Sequence, residues 1–250
     1  MSKILFDEKE RFDELFEEDD GFAFTQKDFM ILIKMYRYLG KKDNEINKYL
    51  YDNFHGVHSD RINKAFKAVR GLMYEPAKEI TIYKEELDVI QGQLDYDLQK
   101  LMFILLCLCK FENNKNKNYL YFKTNGNISL TKILQCAKVK AINRKKKIKN
   151  FVPLSMQGYI DTINGELQIL YYRDNGTPIM KFVPYNDMIY EYRSYIGDRV
   201  VRCAECGKWI YKRGNKTKYC SSCAKVVKNR QTAEIVKERR MLENRKQQNC

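Results

Sequence analysis

The spacing of apolar side chains predicts that the N-terminal part of the chain is helical. Three stretches have apolar residues three and four apart, the period of an amphipathic α-helix: 26–39, 43–54 and 60–70. Thr25 and Ser59 precede two of these stretches and are typical N-cap residues. The first 20 residues are rich in Asp and Glu but keep an apolar stripe at helical spacing. We therefore expect 1–76 to form an acidic helical region.

The pattern in the middle of the chain predicts helices followed by strands. The expected elements are helices over 93–111, 130–137 and 139–152, a loop over 113–118, and strands over 119–123, 166–173 and 179–183. Ser129 is expected to cap the second of these helices and Pro153 to end the third. Asn175-Gly176 is typical of a two-residue hairpin turn and predicts that the last two strands pair with each other.

Composition excludes several classes of protein. Hydrophobic residues make up 44% of the 250 residues and charged residues 31%. This composition is too apolar for a disordered chain. The longest apolar run, Leu101 to Cys109, is about half of the ~20 residues that a membrane span needs. Charged residues follow the first apolar residues directly, so the start of the chain is unlike a signal peptide. We expect a cytoplasmic protein with reduced thiols and no membrane contact.

The charge of the chain is unevenly distributed. The formal net charge is +14, made up of −5 over residues 1–100, +9 over 101–200 and +10 over 201–250. An acidic first part followed by a basic remainder predicts a polyanion as the partner of the basic part.

The order of elements over 93–184 resembles a winged helix, a helix-turn-helix variant with a β-hairpin behind its recognition helix. The resemblance rests on that order and on the segment Met156-Gln157-Gly158-Tyr159-Ile160. It implies that the basic helix over 139–152 enters the major groove of DNA. The candidate contacts in this helix are Asn143, Arg144, Lys145, Lys146, Lys147 and Lys149. Arg144 and Asn143 have the donor geometry to read base edges, whereas the lysines suit phosphates.

Four cysteines near the C-terminus have the spacing C-x2-C-x13-C-x2-C, namely Cys203, Cys206, Cys220 and Cys223. Four thiolates satisfy the tetrahedral preference of Zn²⁺, so we expect one structural zinc ion. An iron–sulfur cluster is the alternative, because four thiolates also suit it. We expect Trp209–Tyr211 to pair with Lys218–Tyr219 as a hairpin, and the second cysteine pair to open a helix.

The order of cysteine knuckle, hairpin and helix resembles the treble-clef fingers of bacterial CGNR-like zinc-finger proteins, which include regulators and proteins of phages and mobile elements. The matching residues are Cys206-Gly207, Tyr219-Cys220 and Cys223, with Asn229-Arg230 downstream. The resemblance covers 199–250 alone and implies DNA binding in transcription control. The candidate nucleic-acid contacts of this region are Lys208, Lys212, Arg213, Lys216, Lys218, Lys225, Lys228 and Arg230.

Catalytic patterns are not found in the sequence. The two histidines, His55 and His58, have no carboxylate between them, and no phosphate-binding glycine loop is present. We therefore do not expect an enzyme.

Taken together, the sequence predicts a mostly helical α+β protein with three regions. These are the acidic helical region 1–76, a winged-helix-like domain 77–198 and a zinc finger with a basic helix, 199–250. The expected function is zinc-dependent binding of double-stranded DNA as a regulator or replication-associated factor of a phage or mobile element. Two alternatives remain: RNA binding, and an adaptor or inhibitor of a host nucleic-acid machine that holds its protein partner through the finger and the acidic helices.

Overall fold

The fold was analysed in a computed structural model of the 250-residue chain. The residues that it describes are 7–17, 24–54, 59–112, 114–116, 119–123, 128–140, 151–163, 166–214 and 217–248. Helices and small antiparallel sheets occur in the same chain, so the protein belongs to the α+β class. The chain divides into two compact units, Met1–Asn186 and Asp187–Cys250.

Four helices form the N-terminal part of the first unit. They are α1 (Glu8–Glu17), α2 (Gln26–Tyr38), α3 (Asp43–Phe54) and α4 (Ser59–Ala68). Helix α2 packs against the other three, and Phe29 and Ile33 on it are fully buried with Leu50 on α3 and Ile62 on α4. The predicted N-terminal helices are thus confirmed, because their apolar spacing matches the faces that they bury.

The start of α2 carries a charged capping box. The Thr25 hydroxyl accepts a hydrogen bond from the Asp28 backbone N–H, and the Asp28 carboxylate accepts one from the Thr25 N–H at 2.8 Å. The Arg11 side chain on α1 donates to the same carboxylate at 2.9 Å. Burial raises the pKa of Asp28, but the hydrogen bonds from Arg11 and Thr25 outweigh it, so the pKa is lowered overall. Asp28 therefore joins α1 to α2 as an anion.

A helix that is apolar on all sides forms the centre of the rest of this unit. Helix α6 (Tyr96–Glu112) buries every residue from Leu101 to Cys109, as expected of a helix covered from several directions. It contacts helix α5 (Lys84–Gln91), helix α7 (Leu130–Cys136) and strand β1 (Ile80–Tyr83).

A four-stranded antiparallel sheet covers α6 from another side. Its strands are β2 (Asn114–Asn116), β3 (Tyr119–Lys123), β4 (Ile160–Ile163) and β5 (Glu166–Ile169), in the order β2-β3-β5-β4. A short helix, α8 (Val152–Met156), precedes β4, and strand β6 (Pro178–Phe182) pairs with β1 in a separate two-stranded sheet.

The predicted hairpin across Asn175-Gly176 is wrong. Strand β5 lies between β3 and β4, so it has no free edge for β6. After β5 the chain leaves the sheet: the Tyr171 hydroxyl donates to the Met102 carbonyl at 2.6 Å, and the Arg173 N–H donates to the buried Glu86 carboxylate at 2.6 Å. The predicted pairing of 166–173 with 179–183 therefore does not form; β5 pairs instead with β4, which precedes it in the chain, and the winged-helix prediction is not confirmed.

Two further predictions for this region need correction. The polar segment 113–118 contains strand β2 rather than only a loop, because its backbone pairs with β3. Pro153 lies inside the first turn of α8 instead of ending a helix. Proline is tolerated there because backbone N–H groups in the first turn form no hydrogen bond within the helix. The predicted basic helix 139–152 falls mostly on 141–150, outside the described residues, together with the candidate contacts Asn143 to Lys147 and Lys149.

The second unit begins with helix α9 (Ile189–Tyr195). It continues through strands β7 (Val200–Arg202) and β8 (Trp209–Tyr211), which pair antiparallel, and ends in the long helix α10 (Ser221–Gln248). The last helix is 28 residues long.

Replacing Asp28 by asparagine should destabilise the helical region. The variant loses charge-assisted hydrogen bonds, so we expect the free energy of unfolding at pH 7 to fall by about 1–3 kcal/mol in urea denaturation. The lowered pKa of Asp28 stabilises the fold above the ordinary value of 3.8, and this contribution is lost as the pH falls through the folded-state pKa. The difference between wild type and variant should therefore shrink on acidification.

The matched control is Asp13→Asn. Asp13 pairs with Lys9 at 2.6 Å, but both side chains are more than half exposed, so we expect a change below about 0.5 kcal/mol. An Asp28→Asn variant that is as stable as the wild type at pH 7 would contradict the proposed role of the carboxylate.

Candidate metal centre and basic surface

Short backbone segments bring the four predicted cysteines to one point. Cys203 follows β7 directly, and Cys206 lies in the turn before Gly207, whose φ of +69° suits a residue without a Cβ. Cys220 immediately precedes α10, and Cys223 lies in its first turn. The prediction that the second cysteine pair opens a helix is thus confirmed.

The four sulfur atoms lie close enough together to share one metal ion. All four Sγ atoms lie within 4.8 Å of one another, and those of Cys206 and Cys220 are 3.8 Å apart. A tetrahedron of thiolates with metal–sulfur bonds of about 2.3 Å has sulfur–sulfur edges of about 3.8 Å. The cluster could therefore hold a metal ion of the size and preference of Zn²⁺.

Hydrogen bonds at the cluster favour thiolates at two of the cysteines. The backbone N–H groups of Cys206 and Cys220 donate to Cys203 and lower the pKa of its thiol. The Ser222 hydroxyl and the Cys223 N–H lower the pKa of Cys220 to about 6. Hydrogen bonds to the Cys220 and Cys206 thiols raise the pKa of Cys223 to about 12. A bound metal ion would displace the thiol proton of Cys223, since metal-bound cysteines are deprotonated.

The hairpin that carries the first two cysteines differs from the predicted one. Strand β8 pairs with β7, with Val200 opposite Tyr211 and Arg202 opposite Trp209, and not with Lys218–Tyr219. The first knuckle therefore forms the connection of this hairpin. Lys218 contacts the knuckle in another way, because its carbonyl accepts a hydrogen bond from the Ala204 N–H at 2.9 Å.

Basic residues flank the four cysteines along the chain. Six of the predicted contacts are exposed and form no ion pair with any described residue: Lys208, Lys212, Arg213, Lys218, Lys225 and Lys228. Arg230 is exposed too, but it pairs with Glu205 at 3.2 Å. Lys216 lies outside the described residues. Most of the contacts predicted for 199–250 are thus exposed, and their role remains a prediction.

Aromatic and arginine side chains form a stack beside the cluster that the sequence patterns did not reveal. The guanidinium of Arg202 lies 4.6 Å from the Trp209 ring centre, and Tyr190 lies 6.1 Å from Trp209. Arg193 lies between Tyr190 and Tyr211, at 5.5 and 4.9 Å from their ring centres. The alternation of Trp209 and Tyr211 along one strand could have indicated that the two rings share a face. The arginines lie on other elements, so their contacts with the rings could not be predicted from that pattern.

Comparisons with protein-family models, with curated proteins and with solved structures found no match to this chain. Among the helices that the structure describes, none combines the length and the apolarity needed to cross a membrane.

Substituting one ligand should remove the metal. We expect the purified wild-type protein to hold about one zinc ion per chain by elemental analysis, and Cys206→Ser to lose most of it, because a serine hydroxyl is a poor replacement for a thiolate. Titration with Co²⁺ should give the thiolate absorption of a tetrahedral site in the wild type and a much weaker band in the variant.

The control is Cys136→Ser, which changes a buried cysteine of α7 whose hydrogen bond to the Asn186 side chain a hydroxyl can retain. This variant should keep its zinc. If the wild-type protein contains iron and acid-labile sulfide, the site holds an iron–sulfur cluster instead of zinc. A metal-free wild type that fails to take up Zn²⁺ would contradict the existence of a metal site.

Proposed function

We propose that the protein binds nucleic acid through a basic surface organised by a four-cysteine zinc site, with double-stranded DNA as the favoured ligand. The observation that carries the proposal is a set of six exposed cations that flank the clustered cysteines along the chain and have no carboxylate partner in its described part. The unit that contains them, 187–250, has 16 Lys and Arg against 7 Asp and Glu. Such a surface attracts a polyanion.

The metal itself does not supply the attraction. Four thiolates and one Zn²⁺ together carry a charge of −2, so any attraction for phosphate comes from the surrounding side chains. The unpaired lysines and Arg213 are exposed, so phosphate groups can reach them. Phosphate contact by these groups would release counterions and make binding strongly dependent on salt.

The proposed zinc site holds the cations through the backbone. The Lys208 carbonyl accepts a hydrogen bond from the Cys203 N–H at 2.8 Å, and the Lys218 carbonyl accepts one from the Ala204 N–H at 2.9 Å. Lys225 follows Cys223 by two residues in the first turns of α10. A change in the knuckle would therefore displace the cations, so that metal binding and nucleic-acid binding are coupled in this proposal.

Finer parts of the proposal rest on sequence resemblance. The knuckle within a hairpin, followed by a helix that contributes the second cysteine pair, supports a treble-clef type of finger. A recognition role for Arg144 and Asn143 extends the proposal to 141–150. In this extension, the protein would act as a DNA-binding regulator or replication-associated factor.

Removing three of the unpaired cations should weaken binding to DNA of any base sequence. For the triple variant Lys212→Ala, Lys225→Ala, Lys228→Ala, we expect weaker binding to every duplex tested. The slope of log K against log salt should become shallower by up to about 2.7, or about 0.9 for each phosphate that the variant no longer neutralises. Fluorescence anisotropy with random-sequence duplexes across a salt series measures both quantities.

The matched control removes three exposed lysines that form ion pairs in the first unit, Lys9, Lys84 and Lys181. The net-charge change is the same, but we expect little change in affinity or slope. Equal losses in the two triple variants would show that total charge, rather than this surface, drives binding. Tighter binding of single-stranded RNA than of duplex DNA would make RNA the ligand.

A further inference from the structure

The exposed face of strand β8 is chemically different from the rest of the basic surface. Side chains alternate along a strand, so Trp209 and Tyr211 lie on one face and Ile210 on the other. Tyr211 is 54% exposed, although it is a large aromatic residue that contacts Tyr190 and Arg193. Exposed aromatic rings beside unpaired cations are typical of surfaces that stack nucleobases.

The Tyr211 ring is held in place on one side. Arg193 lies over the ring at 4.9 Å and donates a hydrogen bond to the Tyr211 hydroxyl, and Tyr190 meets the ring at an interplanar angle of 89°. These are its ring contacts among the described residues, and more than half of the side chain is exposed. Arg193 is itself fixed by Asp198 at 2.7 Å. A ring oriented in this way loses little conformational entropy when a flat ligand stacks on it.

The charge next to the ring identifies the ligand. Lys212 and Arg213 directly follow Tyr211, are exposed, and have no carboxylate partner among the residues that the structure describes. The Lys212 N–H donates to the Arg199 carbonyl at 2.8 Å, which fixes the backbone where the chain leaves β8. In contrast, the two arginines of the stack are paired with acids, Arg193 with Asp198 and Arg202 with Glu191. The arginines therefore position the rings, while Lys212 and Arg213 are available to phosphate.

We propose that Tyr211 stacks an unpaired nucleobase whose adjoining phosphates contact Lys212 and Arg213. This inference rests on the proposed function and deepens it, because it makes a nucleic acid with a single-stranded element the preferred ligand. A base inside an intact duplex is stacked on its neighbours and cannot present its face to Tyr211. A single-stranded extension or gap presents one without that cost.

The test compares a blunt DNA duplex with the same duplex carrying a short single-stranded thymidine extension. Base–aromatic stacking is worth about 1–3 kcal/mol, so we expect the zinc-loaded protein to prefer the extended duplex by roughly 5- to 150-fold. Tyr211→Leu should lose this preference and keep its affinity for the blunt duplex and its zinc. Tyr211→Phe should retain most of the preference, because it keeps the ring.

Trp209 provides a second readout that a merely structural role of Tyr211 would not produce. It is the single tryptophan of the chain and lies on the same strand face as Tyr211. Its fluorescence should respond to the extended duplex and much less to the blunt one. In Tyr211→Leu the two responses should become alike.

The outcomes separate this inference from the function on which it rests. Absence of binding to either duplex at low salt would overturn the proposed function itself. Tight binding without preference for the extension, or equal losses on both duplexes in Tyr211→Leu, would overturn the stacking role alone. Equal quenching of Trp209 by polyglutamate would assign the surface to an acidic peptide and also overturn it.

Discussion

Four cysteine sulfurs within 4.8 Å of one another are the constraint on which the C-terminal unit depends. The described part of this unit buries few apolar side chains, namely Met188, Ile189, Tyr192 and Val200, beside Cys203. A small unit with so little core benefits from a cross-link, and a metal ion at the proposed site would supply one. In our account the ion therefore stabilises the connection between β7, β8 and the start of α10.

The same constraint accounts for the proposed binding surface. The carbonyls of Lys208 and Lys218 accept hydrogen bonds from the knuckle, and α10 starts at the second cysteine pair, so the cations around the cluster depend on its geometry. Tyr211 lies on the strand that follows the knuckle, with its ring fixed by Arg193. Electrostatic attraction and base stacking would then be two properties of one metal-organised hairpin, one sensitive to salt and the other to strand pairing.

Sequence reasoning succeeded where the determinant was local and failed where it was not. The cysteine spacing and the Thr25 and Ser129 caps each involve neighbouring residues, and the structure agrees with them. Asn175-Gly176 suggested a local hairpin, but β6 pairs with β1, almost a hundred residues earlier in the chain. The pairing of β6 with β1 follows from the position of β5 between two other strands and from the hydrogen bond between Arg173 and the buried Glu86. Neither feature can be read from the alternation pattern of a single segment. The arginine–aromatic stack was missed for the same reason.

The most direct test of the account is DNA binding by the reduced protein after its metal is removed and then restored. We predict that the stripped protein binds a duplex about tenfold or more weakly, and that affinity returns in proportion to added Zn²⁺ up to one equivalent per chain. Because thiols stay reduced throughout, disulfide formation would not account for the loss. A stripped protein that binds the duplex as tightly as the zinc-loaded one would contradict the claim that the metal organises this surface.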